Sequence, residues 1–264
     1  MLRRWLEDPL TRGLEIDHPT GTALRQRLIQ KKRLLRLIYK DWYAFIASEI
    51  PAGSGAILEL GSGPGFLKEH IPDLITSDVF PCSGVKLVLD GECLPFADDT
   101  LRAIVMTDVL HHLQNPRRFF KEASRCVEVG GRVIMIEPWV SQWSTLIYSR
   151  FHHEPFCPEA ADWEFPTAGP LSGANGALPW ILFSRDRKQF EGEFPQWRIQ
   201  RIAPDMPFSY LFSGGVSLRS LAPGGVFKFL RWIESKLQPW MESLAMFAAI
   251  SLVKIGPHAN AAKE

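Results

Sequence analysis

A carboxylate followed by three evenly spaced glycines is the strongest chemical signal in this sequence. Glu59 ends an apolar stretch, and Gly61, Gly63 and Gly65 follow it at alternate positions. Glycine lets the backbone approach a ligand closely, and a carboxylate pairs with an ammonium group. Open α/β sheets bind ligands at the carboxyl ends of their strands, where this loop would lie. The pattern predicts a small-molecule site, with a plain strand-to-helix turn as the alternative.

The residue after the third glycine separates two kinds of nucleotide-binding loop. Phe66 stands where the dinucleotide fingerprint G-x-G-x-x-G has its third glycine. This substitution counts against a nicotinamide-dependent oxidoreductase. We expect the segment from Phe66 to His70 to open a helix whose first N–H groups face the same crevice.

Two more acids follow at the ends of expected strands. Asp78 comes 19 residues after Glu59, where a carboxylate can accept hydrogen bonds from two ribose hydroxyls. A simple turn acid is the alternative for Asp78. Asp90 begins the run Asp-Gly-Glu-Cys-Leu-Pro-Phe, which ends at Phe96.

Together these motifs resemble those of the class I S-adenosylmethionine (SAM) dependent methyltransferases, and the run from Asp90 is typical of their type 11 subgroup. The resemblance covers about Ala56 to Pro138. It implies that an acid at the first loop holds the SAM ammonium group, that Asp78 holds the ribose and that Asp90 addresses the adenine. The residues implied to contact SAM are Glu59, Gly61, Ser62, Gly63, Gly65, Asp78, Val79, Asp90, Gly91, Thr107 and His112.

Histidines are the candidate general bases. The resemblance places the loop from Thr107 to Leu113 over the methyl group, and imidazole titrates near neutral pH. The candidate catalytic residues are His111, His112, His152 and His153, with a packing role as the alternative for His112. No metal site is predicted, because the adjacent His152 and His153 point apart and spacing fixes no third ligand beside Glu154.

Short apolar strands are expected to position these residues. They are predicted at 56–60, 74–79, 85–89, 103–107, 132–136, 197–202 and 247–255, with a helix at 116–128. Continuous apolar strands fit a parallel sheet that is covered on both faces. We therefore expect a Rossmann-like three-layer α/β sandwich with a seven-stranded, mostly parallel sheet. The link 79–84 is too short for a helical crossover, so that helix is expected to be missing.

Two regions outside the sheet are expected to complete the pocket. Residues 1–55 are predicted to form a helical segment over the cofactor site, with helical periodicity from Thr22 to Ile50. Residues 56–264 would form the methyltransferase domain, with an inserted acceptor lid at about 139–225. The first part of that lid is rich in Trp, Pro, Phe and Gly and lacks sustained periodicity, and so long a loop is usually functional.

Composition narrows the partners. A net charge of +1 and the lack of a basic, aromatic groove argue against nucleic acid and favour a small or amphiphilic acceptor. Basic residues between Arg25 and Arg36 predict peripheral contact with an anionic membrane face, with a solvated basic face as the alternative. Four scattered cysteines and a charged segment from Met1 to Pro9 predict a cytoplasmic protein. The oligomeric state is not indicated.

The favoured function is transfer of a methyl group from SAM to a natural-product, quinone-like, lipid-linked or glycan-linked acceptor. Such a reaction produces S-adenosylhomocysteine. Two other classes stay open at this point. A regulatory SAM-binding module would bind SAM without turnover, and a nicotinamide-dependent oxidoreductase would bind NAD instead.

Overall fold

A seven-stranded sheet forms the centre of the fold. The computed structural model describes residues 6–11, 18–63, 65–151, 154–165, 169 and 173–256. The strands are β1 (Ala56–Leu60), β2 (Leu74–Asp78), β3 (Leu87–Val88), β4 (Leu101–Thr107), β5 (Val127–Pro138), β6 (Trp197–Asp205) and β7 (Phe247–Lys254). Their order is β3-β2-β1-β4-β5-β7-β6, with β7 antiparallel to both neighbours and the other pairs parallel. The predicted seven-stranded, mostly parallel sheet is confirmed.

Helices precede and connect these strands. They are α1 (Pro19–Lys31), α2 (Arg33–Glu49), α3 (Pro116–Cys126), α4 (Gln142–Phe151), α5 (Leu178–Trp180), α6 (Arg187–Glu193), α7 (Ser209–Ser213), α8 (Phe227–Lys236) and α9 (Met241–Leu244). A π-helical turn, Ile181–Arg185, joins α5 to α6. Among the described residues, no helix combines the length and apolar character that a membrane span requires.

Both faces of the sheet are covered, as a three-layer sandwich requires. On one face, Leu35, Ile38 and Tyr43 of α2 belong to a buried cluster with strand residues such as Ile57 and Val105. These α2 positions recur at helical spacing, so one stripe of the helix faces the sheet. On the other face, α3 and the segment 177–194 pack into a second cluster, to which Trp163 also belongs.

The helix predicted to begin at Phe66 is wrong. The structure has one 3-10 turn there, Leu67–Glu69, and β2 already begins at Leu74. Proline lacks an N–H group and disfavours helical backbone at the residue before it, so Pro72 prevents continuation through Ile71. Phe66 instead packs edge-on against Tyr43, with ring centroids 4.9 Å apart.

The link between β2 and β3 agrees with the sequence expectation. Residues 79–86, all described, contain no helix, and β3 shrinks to Leu87 and Val88. Both strand residues are exposed, so none of the described residues covers this edge of the sheet. In the described part of the chain, the flank formed by β2 and β3 is therefore thinner than the rest of the sandwich.

The N-terminal helical segment consists of two helices that meet at Lys32. Lys32 is buried, and its Nζ donates hydrogen bonds to the carbonyl oxygens of Gly215 (3.0 Å) and Leu218. Asp8 lies 3.5 Å from the same Nζ. Burial lowers the pKa of Lys32, and Asp8 opposes that shift. This residue ties the helices to the loop that follows α7.

The segment 139–225 occupies two separate places. Residues 177–194, together with Trp163, belong to the core cluster on the α3 face of the sheet. Residues 147–154 and 210–221 include the side chains that line the cavity described below. The lid over 139–225 as a unit stays a prediction, and the cavity-lining portion is the part that could act as one.

Candidate functional site

A cavity of about 640 Å³ opens at the carboxyl ends of β1, β2 and β4. Ligand pockets commonly have volumes of roughly 300–1,000 Å³. Ten of the eleven residues predicted to contact SAM line it: Glu59, Gly61, Ser62, Gly65, Asp78, Val79, Asp90, Gly91, Thr107 and His112. The eleventh, Gly63, lies behind the wall, where its N–H donates to Asp78 Oδ2 at 2.9 Å. The structure therefore brings the predicted cofactor residues together.

Glu59 is a buried acid held in a fixed position. The Ser62 hydroxyl donates to Glu59 Oε2 at 2.6 Å. Ser62 Oγ also accepts from the backbone N–H of Ser77 at 3.1 Å, which ties the loop to β2. Burial raises the pKa of Glu59 to about 7, and the Ser62 hydrogen bond works against that shift. A cationic ligand group would favour the ionised form.

Asp78 is oriented by the backbone on both sides. Its Oδ2 accepts from Gly63 N and its Oδ1 from Phe80 N at 3.0 Å. Burial raises the pKa of Asp78, and these backbone hydrogen bonds oppose the rise. A Cβ atom on Gly63 would lie 2.7 Å from Asp78 Oδ2 and from Thr22 Cγ2, so glycine is required there. Each carboxylate oxygen can accept more than one hydrogen bond, which leaves capacity for ligand hydroxyls.

Asp90 and Gly91 form the opposite wall of this end of the cavity. Asp90 is exposed, and its Oδ1 accepts from the backbone N–H of Glu92 at 2.9 Å. A Cβ atom on Gly91 would meet Leu60 and Leu113 at 3.3 Å, so the chain passes close to these apolar side chains. The result is a narrow, partly apolar slot edged by one carboxylate.

The end of β4 carries two features that point into the site. Thr107 Oγ1 is buried and has no hydrogen-bond partner among the described residues. Asp108 adopts a φ of 64°, which is uncommon for a residue with a side chain. Burial raises the pKa of Asp108 to about 6, although nearby His111 lowers it. Sequence reasoning missed Asp108, and its position directly after a strand next to Thr107 was the available signal.

The two histidines after β4 have different environments. His111 is 1% exposed, and its Nδ1 lies 2.8 Å from Glu137 Oε2. Burial alone would lower its pKa, but hydrogen bonds to Glu137 and Glu154 raise the pKa well above its usual value. His112 lines the cavity, and burial together with His111 lowers its pKa to about 3. The predicted candidates His152 and His153 lie outside the described residues.

Aromatic side chains also line the cavity. The chain has four tyrosines, and all of them line it: Tyr39, Tyr43, Tyr148 and Tyr210. Tyr43 lies at the glycine loop, where its hydroxyl accepts a hydrogen bond from the backbone N–H of Phe66 at 3.2 Å. Tyr210 packs 4.5 Å from Phe247 between ring centroids. Burial raises the pKa of Tyr148 and of Tyr210, so both are neutral phenols at pH 7. Sequence reasoning missed these residues because they come from three separate helices.

The part of the sequence that forms β1 to β5 matches a known protein family. Residues 58–135 match the family described as a methyltransferase domain. Over this span the chain is similar to a methyltransferase domain. The match confirms the predicted resemblance to class I SAM-dependent methyltransferases, the cofactor of which is SAM. It ends near the middle of β5, before α4 and the aromatic end of the cavity.

Individual relatives are distant. The uncharacterized protein MJ1123 of Methanocaldococcus jannaschii is 30% identical over 107 residues, which is 38% of this chain and 51% of that protein. This chain thus spans about half the length of the curated relative that it matches.

Among solved structures, a geranyl diphosphate C-methyltransferase from Streptomyces coelicolor A3(2) aligns with a TM-score of 0.52 and 12% identity, over 88% of this chain and 83% of that one. Its structure contains Mg²⁺, geranyl diphosphate and S-adenosylhomocysteine. A geranyl diphosphate methyltransferase with GPP and sinefungin aligns with a TM-score of 0.51 and 15% identity, over 87% and 82% of the two chains. At these identities the alignments establish the fold of this chain.

Proposed function

We propose that this protein transfers a methyl group from SAM to a small or amphiphilic acceptor. The observation that carries the proposal is a single cavity with two chemically different ends. Carboxylates and backbone of the loops after β1 and β2 line one end, and aromatic side chains line the other. Such a cavity can hold a polar cofactor and an apolar acceptor side by side.

The residues at the polar end fit SAM group by group. Glu59 would hold the ammonium group, the doubly anchored Asp78 the ribose hydroxyls, and the slot between Asp90 and Gly91 the adenine. Thr107 Oγ1, which is buried and has no hydrogen-bond partner among the described residues, would supply a further polar contact in the wall. When bound, SAM supplies an activated methyl group on a sulfonium, which an O, N or C nucleophile can displace. The protein's contribution is then alignment and the exclusion of water.

A general base is needed only where the acceptor nucleophile arrives protonated. Asp108 has a pKa raised to about 6 by burial, close to the value that suits a base at neutral pH. His112 faces the cavity with a pKa of about 3 and so stays neutral and weakly basic. His111 is held by Glu137 away from the cavity surface. Among these three, Asp108 is the best placed to take a proton, because it lines the cavity and His111 does not.

The acceptor end favours an apolar or amphiphilic molecule that enters from a membrane surface. Phe229, Trp232 and Trp240 are about 60% exposed on and after α8, and the first two rings stack 6.1 Å apart. Exposed basic residues of α1 and α2, among them Lys31 and Arg33, line a groove beside the cavity mouth. Exposed aromatic and basic side chains together suit an anionic bilayer.

Methyl transfer is tested with purified protein, SAM labelled on the methyl group and fractions of a host extract. We expect S-adenosylhomocysteine to form and one apolar or amphiphilic compound to gain the mass of one methyl group. Tight binding of SAM without turnover in any fraction would favour the regulatory module. Binding of NAD in preference to SAM in calorimetric titrations would favour the oxidoreductase.

Membrane contact is tested by co-sedimentation with vesicles that contain anionic phospholipid, at low salt. We expect binding that the double change Phe229→Ser and Trp232→Ser reduces at least tenfold. The change Leu146→Ser is the matched control, because Leu146 is 40% exposed, belongs to α4 and not α8, and does not line the cavity. Equal sedimentation with and without vesicles would remove the membrane part of the proposal and leave methyl transfer untouched.

A further inference from the structure

Three side chains from two parts of the sequence converge beside the cavity, and two of them, His112 and Glu154, line it. His111 and His112 lie in the 3-10 turn after β4, and Glu154 follows α4. His111 Nε2 lies 3.6 Å from Glu154 Oε2, and His112 Nε2 lies 4.0 Å from Glu154 Oε1. One ligand atom from each residue falls within 4.8 Å of the other two. Two imidazoles and a carboxylate are a donor set that binds divalent transition metals.

The other ring nitrogen of each histidine is fixed by an acceptor. His111 Nδ1 lies 2.8 Å from Glu137 Oε2, and His112 Nδ1 lies 3.3 Å from the carbonyl oxygen of Gly173. A carbonyl oxygen only accepts, so the proton of His112 sits on Nδ1 and the lone pair on Nε2. Both Nε2 atoms therefore face the same carboxylate.

Glu137 completes the support around this cluster. It is 0% exposed, and its Oε1 accepts from the backbone N–H groups of Val109 and Leu110 at 2.9 and 2.7 Å. The acid is thus held in place by the same turn that carries the histidines. A carboxylate that orients a histidine through Nδ1, while Nε2 stays available, is the usual outer support of a metal ligand.

The spacing of the three donors is close to what an ion requires. Ligand atoms bound at about 2.1 Å in tetrahedral geometry lie roughly 3.4 Å apart. The His111–Glu154 separation of 3.6 Å is already near that value. His112 and Glu154 line the cavity, so a fourth position would face it, whereas His111 forms the buried side.

We propose that His111, His112 and Glu154 bind one divalent transition-metal ion, such as Zn²⁺ or Co²⁺, with an open coordination position toward the cavity. An oxygen atom of the acceptor would occupy that position. Binding of the acceptor there rests on the proposed methyl transfer, whereas metal binding does not. The sequence analysis weighed a metal only at the adjacent His152 and His153 beside Glu154, whereas His111 and His112 precede Glu154 by more than forty residues.

The test is calorimetric titration of metal-stripped protein with Zn²⁺ and, separately, with Co²⁺, followed by the visible absorption of the Co²⁺ form. We expect one ion per chain and a tetrahedral or five-coordinate Co²⁺ spectrum. The changes His112→Asn and Glu154→Gln should each weaken binding at least 100-fold. His70→Asn is the matched control, since His70 is exposed and lies outside the cavity, and it should bind as the wild type does.

Two outcomes would overturn the proposal. One is absence of stoichiometric binding, which would leave the cluster as a hydrogen-bonded ion pair. The other is wild-type affinity in both His112→Asn and Glu154→Gln, which would place the ion elsewhere. Titration of the metal-stripped wild type with S-adenosylhomocysteine separates this proposal from the previous one, because binding there shows an intact cofactor site whether or not the metal binds.

Discussion

The two ends of the cavity are built in different ways. At the cofactor end, short loops after β1 and β2 contribute backbone N–H groups and carboxylates that hold one another, as Gly63 and Asp78 do. At the proposed acceptor end, side chains such as Tyr148 and Tyr210 arrive from α4 and α7, which are far apart in sequence.

Because of this difference, the fold restricts substitutions at the cofactor end more than at the proposed acceptor end. A substitution at Gly63 would meet both a strand acid and α1, so the cofactor end has little freedom. Side chains on the acceptor helices can change size without moving the sheet. The cofactor can therefore be predicted from local sequence. The identity of the acceptor would depend on a surface that several helices form together.

The largest expected effect is on stability, at Trp163, which belongs to the hydrophobic core and does not line the cavity. Trp163 is 1% exposed, donates from Nε1 to Asp186 Oδ2 at 2.9 Å and lies under Arg117 at 4.3 Å. Trp163→Ala should lower the free energy of unfolding by about 3–5 kcal/mol, the usual cost of emptying a buried tryptophan site. Thermal and denaturant unfolding measure it. Trp240→Ala, at a 58% exposed site, is the control and should be near neutral. A near-neutral Trp163→Ala would mean that the segment 154–165 is a detachable lid.

The next largest effect is expected at the cofactor end. Asp78→Ala removes the acceptor of two backbone hydrogen bonds and the proposed ribose contact. Charge-assisted hydrogen bonds are worth about 1.5–3 kcal/mol each, so S-adenosylhomocysteine should bind about 100-fold more weakly. Isothermal calorimetry measures the affinity, and a melting curve shows whether the variant stays folded.

Asp73→Ala provides the comparison for that variant. Asp73 is an exposed acid just before β2 and lies outside the cavity, so its loss should leave the affinity within twofold. If a folded Asp78→Ala variant bound S-adenosylhomocysteine as the wild type does, the assignment of the ribose to this end of the cavity would be wrong.

The contrast between the ends also explains what the sequence could predict. The sheet and the missing helix between β2 and β3 follow from local patterns of acids, glycines and apolar runs. The same patterns, through the family resemblance that they carry, predicted eleven cofactor residues, of which ten line the cavity. The helix expected at Phe66 failed because Pro72 and the early start of β2 leave no room for it. Glu137 and the tyrosines were missed because only tertiary packing brings them to the site, whereas Asp108 directly follows Thr107 and could have been found from the sequence.

A pH dependence sharpens the comparison, since the cofactor end carries a buried acid, Glu59, that must be ionised to pair with an ammonium group. Burial raises the pKa of Glu59 to about 7, so below pH 7 the free protein holds a proton there. An ammonium ligand binds the ionised form, and binding must then release that proton. Affinity for S-adenosylhomocysteine should rise with pH between about 5 and 7, approaching tenfold per unit at the acidic end.

The same shift has an opposite consequence for the free protein. A carboxyl with a raised pKa in the folded state stabilises it below the unfolded pKa, and that contribution is lost as pH rises through about 7. Glu59→Gln should therefore flatten both profiles, of affinity and of melting temperature, across this range. Identical slopes in the variant and the wild type would assign the titration to another group.

The smallest effect is expected at the acceptor end. Phe212 lines the cavity and is 37% exposed, so Phe212→Ala should cost little stability. It should leave S-adenosylhomocysteine affinity within twofold and raise the KM for the methyl-accepting fraction about threefold to tenfold, because roughly 1 kcal/mol of apolar contact is lost. Steady-state kinetics with labelled SAM measure this, and Leu146→Ala, outside the cavity, is the control. If Phe212→Ala lowered cofactor affinity as much as it lowered turnover, the two ends would not bind their ligands independently, and the proposed division of the cavity would be wrong.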